Sequence, residues 1–278
     1  MRNIECGAMT EQHETFPSAL QALLLIALLM VIEFFLLVVV VDTNLLGGVS
    51  AIDVSAFITV VGNGILFIGL MAYKRIGYGA LFHPARSSVA ATMTLVTAPI
   101  LLLVPGLVLL AGWANSAVVA LLPMSDDDVA LFEAVMAPGV VSVVFACVGA
   151  PMLEEMLFRG VILRGFLRRY TRGFSIFWSA ALFALAHLNL YQVATALALG
   201  LVAGWLYERC RSLWPCIVLH AAYNTFVTYE YYLWSTEPEA VEFGMSAYSI
   251  GISLAAAIVG GLLLRKLLSP AAPSLPPA

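Results

Sequence analysis

The stretch Gly149-Ala150-Pro151-Met152-Leu153-Glu154-Glu155-Met156-Leu157-Phe158-Arg159 sets two adjacent carboxylates and a guanidinium inside an apolar run over residues 137–163. A run of that length can cross the hydrocarbon core of a bilayer as a helix. Ionisable groups in such a segment are costly to hold, so they face a bundle interior or a water-filled cavity and mark a functional site. The fold class therefore turns on whether the rest of the chain is also built for a membrane.

It is: 62% of the 278 residues are hydrophobic and 11% are charged, a balance that excludes an ordinary soluble domain. Apolar runs recur at 18–41, 54–73, 88–113, 137–163, 174–190, 191–208, 214–233 and 246–265, which predicts an all-α polytopic bundle of about eight transmembrane helices. Residues 1–17 form a segment before the first span, 18–268 a single transmembrane domain, and 269–278 a Pro-rich disordered tail. The first span is too long for a signal-peptide core and is read as a retained anchor.

With the N-terminus inside and eight crossings, every Lys and Arg falls on one side, from Arg2, Lys74, Arg75 and Arg86 through the Arg159 to Arg172 cluster, Arg209 and Arg211 to Arg265 and Lys266. The opposite loops carry Asp42, Asp53, Asp126, Asp127, Asp128, Glu133, Glu230, Glu237, Glu239 and Glu242. Positively charged residues stay with the cytoplasmic face during insertion, so both termini are expected in the cytoplasm and the protein in a bacterial inner membrane. The net charge of -4 divides across the bilayer and gives no basic surface for nucleic acid.

Local signals refine this picture. Pro99 and Pro105 predict a kink in the third span, and Gly149, Ala150 and Pro151 an interruption just before the acidic pair. Gly200 and Gly204 have a spacing that lets helices approach closely, and 126–135 reads as a short outer interfacial helix. Glu33 in the first span is assigned a hydrogen bond within the bundle. Cys6, Cys147, Cys210 and Cys216 show no pairing typical of a disulfide framework or a zinc knuckle.

Helical geometry then sorts the polar residues. Glu155 and Arg159, four apart, share a helix face and can pair, whereas Glu154 points about 100° away and is left without an intrahelical partner. A lone carboxylate in a poorly solvated chamber is a plausible general base. Counting from the basic edge at about 1.5 Å per residue puts Glu154 and His187 both about 20 Å deep. His220 and Asn224, also four apart, share a face somewhat nearer that edge.

Three motifs on separate spans complete the reading: EExxxR from Glu154 to Arg159, FxxxH from Phe183 to His187, and HxxxN from His220 to Asn224. Over about residues 137–235 the chain resembles the CPBP intramembrane proteases, also called the ABI or type II CAAX prenyl endopeptidase-like family. The resemblance implies an endopeptidase acting on a membrane-associated peptide or protein, in which Glu154 and His187 activate a water and His220 and Asn224 hold the developing oxyanion. It also implies that Glu155 and Arg159 shape the site by pairing and that Phe183 packs one turn from His187. No cofactor is expected. A zinc held by the two His and two Glu is the competing mechanism, against which stand the missing H-E-x-x-H and the poor ligand quality of Asn224. Two other classes fit less of the sequence: a catalytically silent scaffold or immunity-type protein binding a peptide in the same cavity, and a proton-coupled transporter using Glu33, Glu154 and His187. The latter lacks the second set of interrupted helices that repeat-built transporters carry.

Overall fold

The structure, a computed structural model, describes residues 16–136, 139–236 and 246–269. Among them there are helices and no strands. The order is α1 (Ala19–Thr43), α2 (Ala51–Lys74), the short α3 (Tyr78–Phe82), α4 (Val89–Leu121), α5 (Asp126–Met136), α6 (Val140–Arg169), α7 (Arg172–Ala186), α8 (Leu190–Cys210), α9 (Trp214–Thr236) and α10 (Ala247–Leu267). The Pro-rich segment 270–278 and Cys6 lie outside the described residues.

Helix starts follow the sequence closely. Ser18, Ser50, Ser88 and Ser246 cap α1, α2, α4 and α10, each accepting from a backbone N–H of the first turn. At α1 this is a full capping box, with the Ser18 N–H donating to Gln21 Oε1 at 2.8 Å, so orphan donors are satisfied where the chain enters the helix. Asn44, Arg75 and Arg211 end α1, α2 and α8 in the left-handed conformation. The segment read as a short interfacial helix is helical, as α5, where Ser125 and Asp128 bond reciprocally, and the hydroxyl and N–H of Ser125 hold the exposed Asp128 carboxyl below its usual range.

Six helices, α1, α2, α4, α6, α8 and α10, are long and apolar enough to cross a membrane, and the chain is a multi-pass membrane protein. The other two expected spans are also helices, with differences. α7 has 15 residues, about 22 Å at the α-helical rise and short of the roughly 30 Å core. It stops at Ala186 because Leu188 takes φ of +50° and Asn189 already caps α8 by accepting from the Tyr191 N–H. α9 is long enough, but His220, Asn224, Thr225, Thr228 and Glu230 lower its hydropathy.

One expectation about a broken helix changes. Pro99 and Pro105, where a kink is expected, both lie within the 33 residues of α4, whereas α6 is not interrupted at Gly149 to Pro151. Instead, α6 changes winding, with π-type stretches at Phe145–Gly149 and Met156–Leu163. Pro151 has no N–H to give, and a wider turn accommodates the loss without ending the helix.

Small residues set the tight crossings. Gly200 and Gly204 bring α8 onto α7, where an added Cβ at Gly200 would lie 2.9 Å from Ala180 Cβ and one at Gly204 would lie 3.1 Å from Ile176 Cγ2. Gly106 and Gly260 do the same for α4 against α10, the Gly260 position facing the Pro99 carbonyl at 2.5 Å. With no hydrophobic force between helices in lipid, such backbone approaches supply the dispersion contact that holds the bundle. Phe34, Phe35 and Ile68 turn outward, as lipid-facing side chains do, while Leu157, Phe166, Phe183, Leu206 and Tyr207 fill the centre.

Candidate active site

At that centre sits a charged pair with almost no exposed surface. Arg159 donates from Nη1 to Glu155 Oε1 at 2.9 Å, and both side chains are 0% exposed. Arg159 donates from Nη2 to the Gly200 carbonyl at 3.2 Å and lays its guanidinium 4.6 Å from the centre of the Phe183 ring. A buried guanidinium persists only when its charge and donors are matched in this way. Gly200 serves twice, since the missing side chain that admits α7 also lets the carbonyl reach Arg159.

Glu155 Oε1 also meets His220 Nδ1 at 2.9 Å. Because a carboxylate can only accept, Nδ1 carries a proton, and Nε2 is the ring nitrogen turned toward Glu154. Nε2 lies 3.7 Å from Glu154 Oε2, longer than a hydrogen bond. His220 thus stands between the two glutamates, oriented by one and adjacent to the other. Glu154 is itself part-exposed, at 31%, while its Oε2 is buried with no hydrogen-bond partner among the described residues.

His187 caps the end of α7. Its Nδ1 lies 2.9 Å from the Phe183 carbonyl, which fixes the proton there and leaves Nε2 as acceptor. Phe183 makes edge contacts with the rings of both His187 and His220, at centroid distances of 4.9 Å and 5.6 Å. One aromatic ring therefore separates the two imidazoles and screens the charged pair beneath. Asn224 donates from Nδ2 to the Ala146 carbonyl at 2.8 Å. That carbonyl is free because the Ala150 N–H bonds five residues back, to Phe145, rather than to Ala146. The winding of α6 and the placement of Asn224 are thereby linked.

The structure gathers Glu154, Glu155, Arg159, Phe183, His187 and His220 around one centre and ties Asn224 to the same helix α6. Two features escaped sequence reasoning: the Glu155–His220 hydrogen bond and the Gly200 carbonyl under Arg159. The first had a signal, a buried carboxylate with capacity for more than one donor; the second had none. Ser179 adds a third polar tie, donating to the Phe158 carbonyl in the second π-type stretch at 3.0 Å. No three His, Cys, Asp or Glu side chains among the described residues form a group that could hold a metal ion. Cys147, Cys210 and Cys216 are buried thiols, and Glu33 accepts from Asn63 Nδ2 at 3.4 Å, as its bundle role requires.

Comparison with known proteins bears on the same region. Residues 136–226 match the family model described as type II CAAX prenyl endopeptidase Rce1-like. A Bacillus subtilis (strain 168) protein named "Putative membrane peptidase YdiL" is 29% identical over 103 residues, 37% of this chain and 42% of that protein. No solved structure matches the chain. The matched segment contains all three motifs, and over it the chain is similar to the type II CAAX prenyl endopeptidase Rce1-like family.

Proposed function

We propose that the protein is an intramembrane endopeptidase that hydrolyses a peptide bond of a membrane-associated substrate with a water activated by Glu154 and His187. The observation that carries this reading is the ordered series Arg159, Glu155, His220, Glu154, in which a buried pair orients an imidazole beside a carboxylate that has an unpartnered buried oxygen. The logic parallels the acid that orients the histidine of a serine protease.

In this reading Glu154, with His187 Nε2, takes a proton from water as its oxygen attacks the scissile carbonyl. His220, as an imidazolium whose Nδ1–H is held by Glu155 and whose Nε2–H is the donor, and the second N–H of Asn224 donate to the oxyanion, and the proton taken from water then passes to the leaving amine as the C–N bond breaks. Donors fixed before the reaction are worth more than mobile ones, because no reorganisation is needed as charge develops. The substrate is a peptide or protein held at the membrane, including prenylated chains and C-terminal signal segments.

The test compares membrane fractions from cells with and without the active protein and maps new peptide termini. A set of cleavages that depends on the protein supports the reading, whereas a complete absence of such termini, with the protein abundant and folded, favours a peptide-binding scaffold. Elemental analysis of the purified protein runs alongside. Stoichiometric zinc that is released by His220→Ala would make His220 a ligand and replace this mechanism with a metalloprotease one.

We further infer eight crossings with both termini in the cytoplasm of a cell whose inner membrane holds the protein. The support is the segregation of Lys and Arg to one side, together with the Arg172–Glu208–Arg209 contacts that join the start of α7 to the end of α8. A cysteine placed at Ser125 is expected to react with an impermeant thiol reagent from outside, and one at Ser269 only after permeabilisation; the reverse pattern would invert the topology.

A further inference from the structure

Between the ends of α8 and α10, away from the candidate active site, lies a cavity of about 450 Å³ lined by Trp205, Arg209, Gly261, Arg265, Leu268 and Ser269. The size is that of a small-molecule pocket, and its charge is unbalanced. The Glu208 carboxylate is shared by two cations, with Oε2 3.0 Å from Arg172 Nε and 3.3 Å from Arg209 Nε. Arg265, in the last turn of α10, forms no ion pair among the described residues. The cavity thus has two guanidiniums on its walls and no carboxylate among the described residues that line it.

The apolar lining has a matching character. Trp205 is half-buried, with a ring of the kind that settles at headgroup level, and Leu268 continues the wall. Gly261 opens the space, since a Cβ there would meet nothing within 4 Å. A planar guanidinium matches phosphate bidentately, and basic pockets between transmembrane helices at the cytoplasmic face take anionic headgroups.

We infer that this cavity binds the phosphate of an anionic phospholipid, with Arg265 as its principal contact, Arg209 as the second and Trp205 beside the glycerol region. The site is independent of the peptidase reading, as none of its residues belongs to the three motifs. It would tie the lipid composition of the leaflet to α8, the helix whose Gly200 carbonyl supports Arg159.

The test reconstitutes the full chain in nanodiscs of phosphatidylglycerol and phosphatidylcholine in equal parts, then measures retained lipid by native mass spectrometry after mild extraction. Phosphatidylglycerol should be retained in preference. Arg265→Gln should lower its retention about fivefold, the effect of one basic residue at a membrane surface. Gly261→Leu should lower it comparably with no change in charge, by filling the space. Lys266→Gln, one residue on but not in the lining, should leave retention unchanged. Equal losses from Arg265→Gln and Lys266→Gln would mean diffuse surface charge and overturn the site, as would unaltered retention in Gly261→Leu. Inorganic phosphate forms a separate arm in lipid-poor detergent: a rise in melting temperature equal to that from phosphatidylglycerol, lost in Arg265→Gln, would make the ligand a soluble phosphate and overturn the lipid assignment.

Discussion

Glu154→Gln is expected to leave the protein folded in the membrane and to lower kcat for peptide hydrolysis by about 10²–10⁴-fold, the range contributed by a positioned general base. The amide keeps the size and a hydrogen-bonding oxygen of the carboxylate but cannot take a proton at neutral pH. Folding should be indifferent, because Glu154 is part-exposed, makes no direct hydrogen bond among the described residues and lies 3.7 Å from His220. The measurement is initial cleavage rate in proteoliposomes against the amount of folded enzyme. Activity within tenfold of wild type would remove Glu154 from the mechanism.

Its neighbour should behave in the opposite way. Glu155→Gln or Arg159→Gln breaks a fully buried pair, and an uncompensated charge at such a site costs about 3–5 kcal/mol. Arg159 is the more severe loss, since the Gly200 carbonyl and the Phe183 face lose their partner as well. Both variants should show a lower melting temperature and less monodisperse protein after extraction. The double variant Glu155→Leu with Arg159→Met should recover part of the stability of the worse single variant, because it removes both charges together. It should remain inactive, as His220 then has no acceptor at Nδ1. Full stability in Arg159→Gln would mean that the pair is solvated and that the charge at the centre is of little consequence.

The contrast between these carboxylates was legible in the sequence because it needs only helical periodicity: four residues separate Glu155 from Arg159, and one residue turns Glu154 away. Composition and the spacing of apolar runs carried the all-helical membrane architecture, whereas the Ser caps of α1, α2, α4 and α10 were seen only in the structure. What stayed hidden depends on contacts between helices. Nothing local says that His220 will meet Glu155 across 65 positions, or that Gly200 will turn its carbonyl to Arg159. The end of α7 at Ala186 was missed because Leu188 and Asn189 carry an ordinary apolar-to-polar step, with no Gly or Pro to mark it. The winding of α6 was misread as a break because Gly-Ala-Pro signals trouble in an α-helix without saying how the chain resolves it.

That winding bears on how this segment can be compared with others. A π-type stretch takes up more residues per turn than an α-helix, so α6 holds surplus chain at Phe145–Gly149 and again at Met156–Leu163. A protein that keeps the same side-chain directions on an evenly wound helix would be shorter in this segment, and a residue-by-residue alignment of the two would need gaps inside a continuous helix. Such gaps would signal conserved orientation, with Glu154 and Glu155 held between two adjustable lengths as fixed marks on the thread.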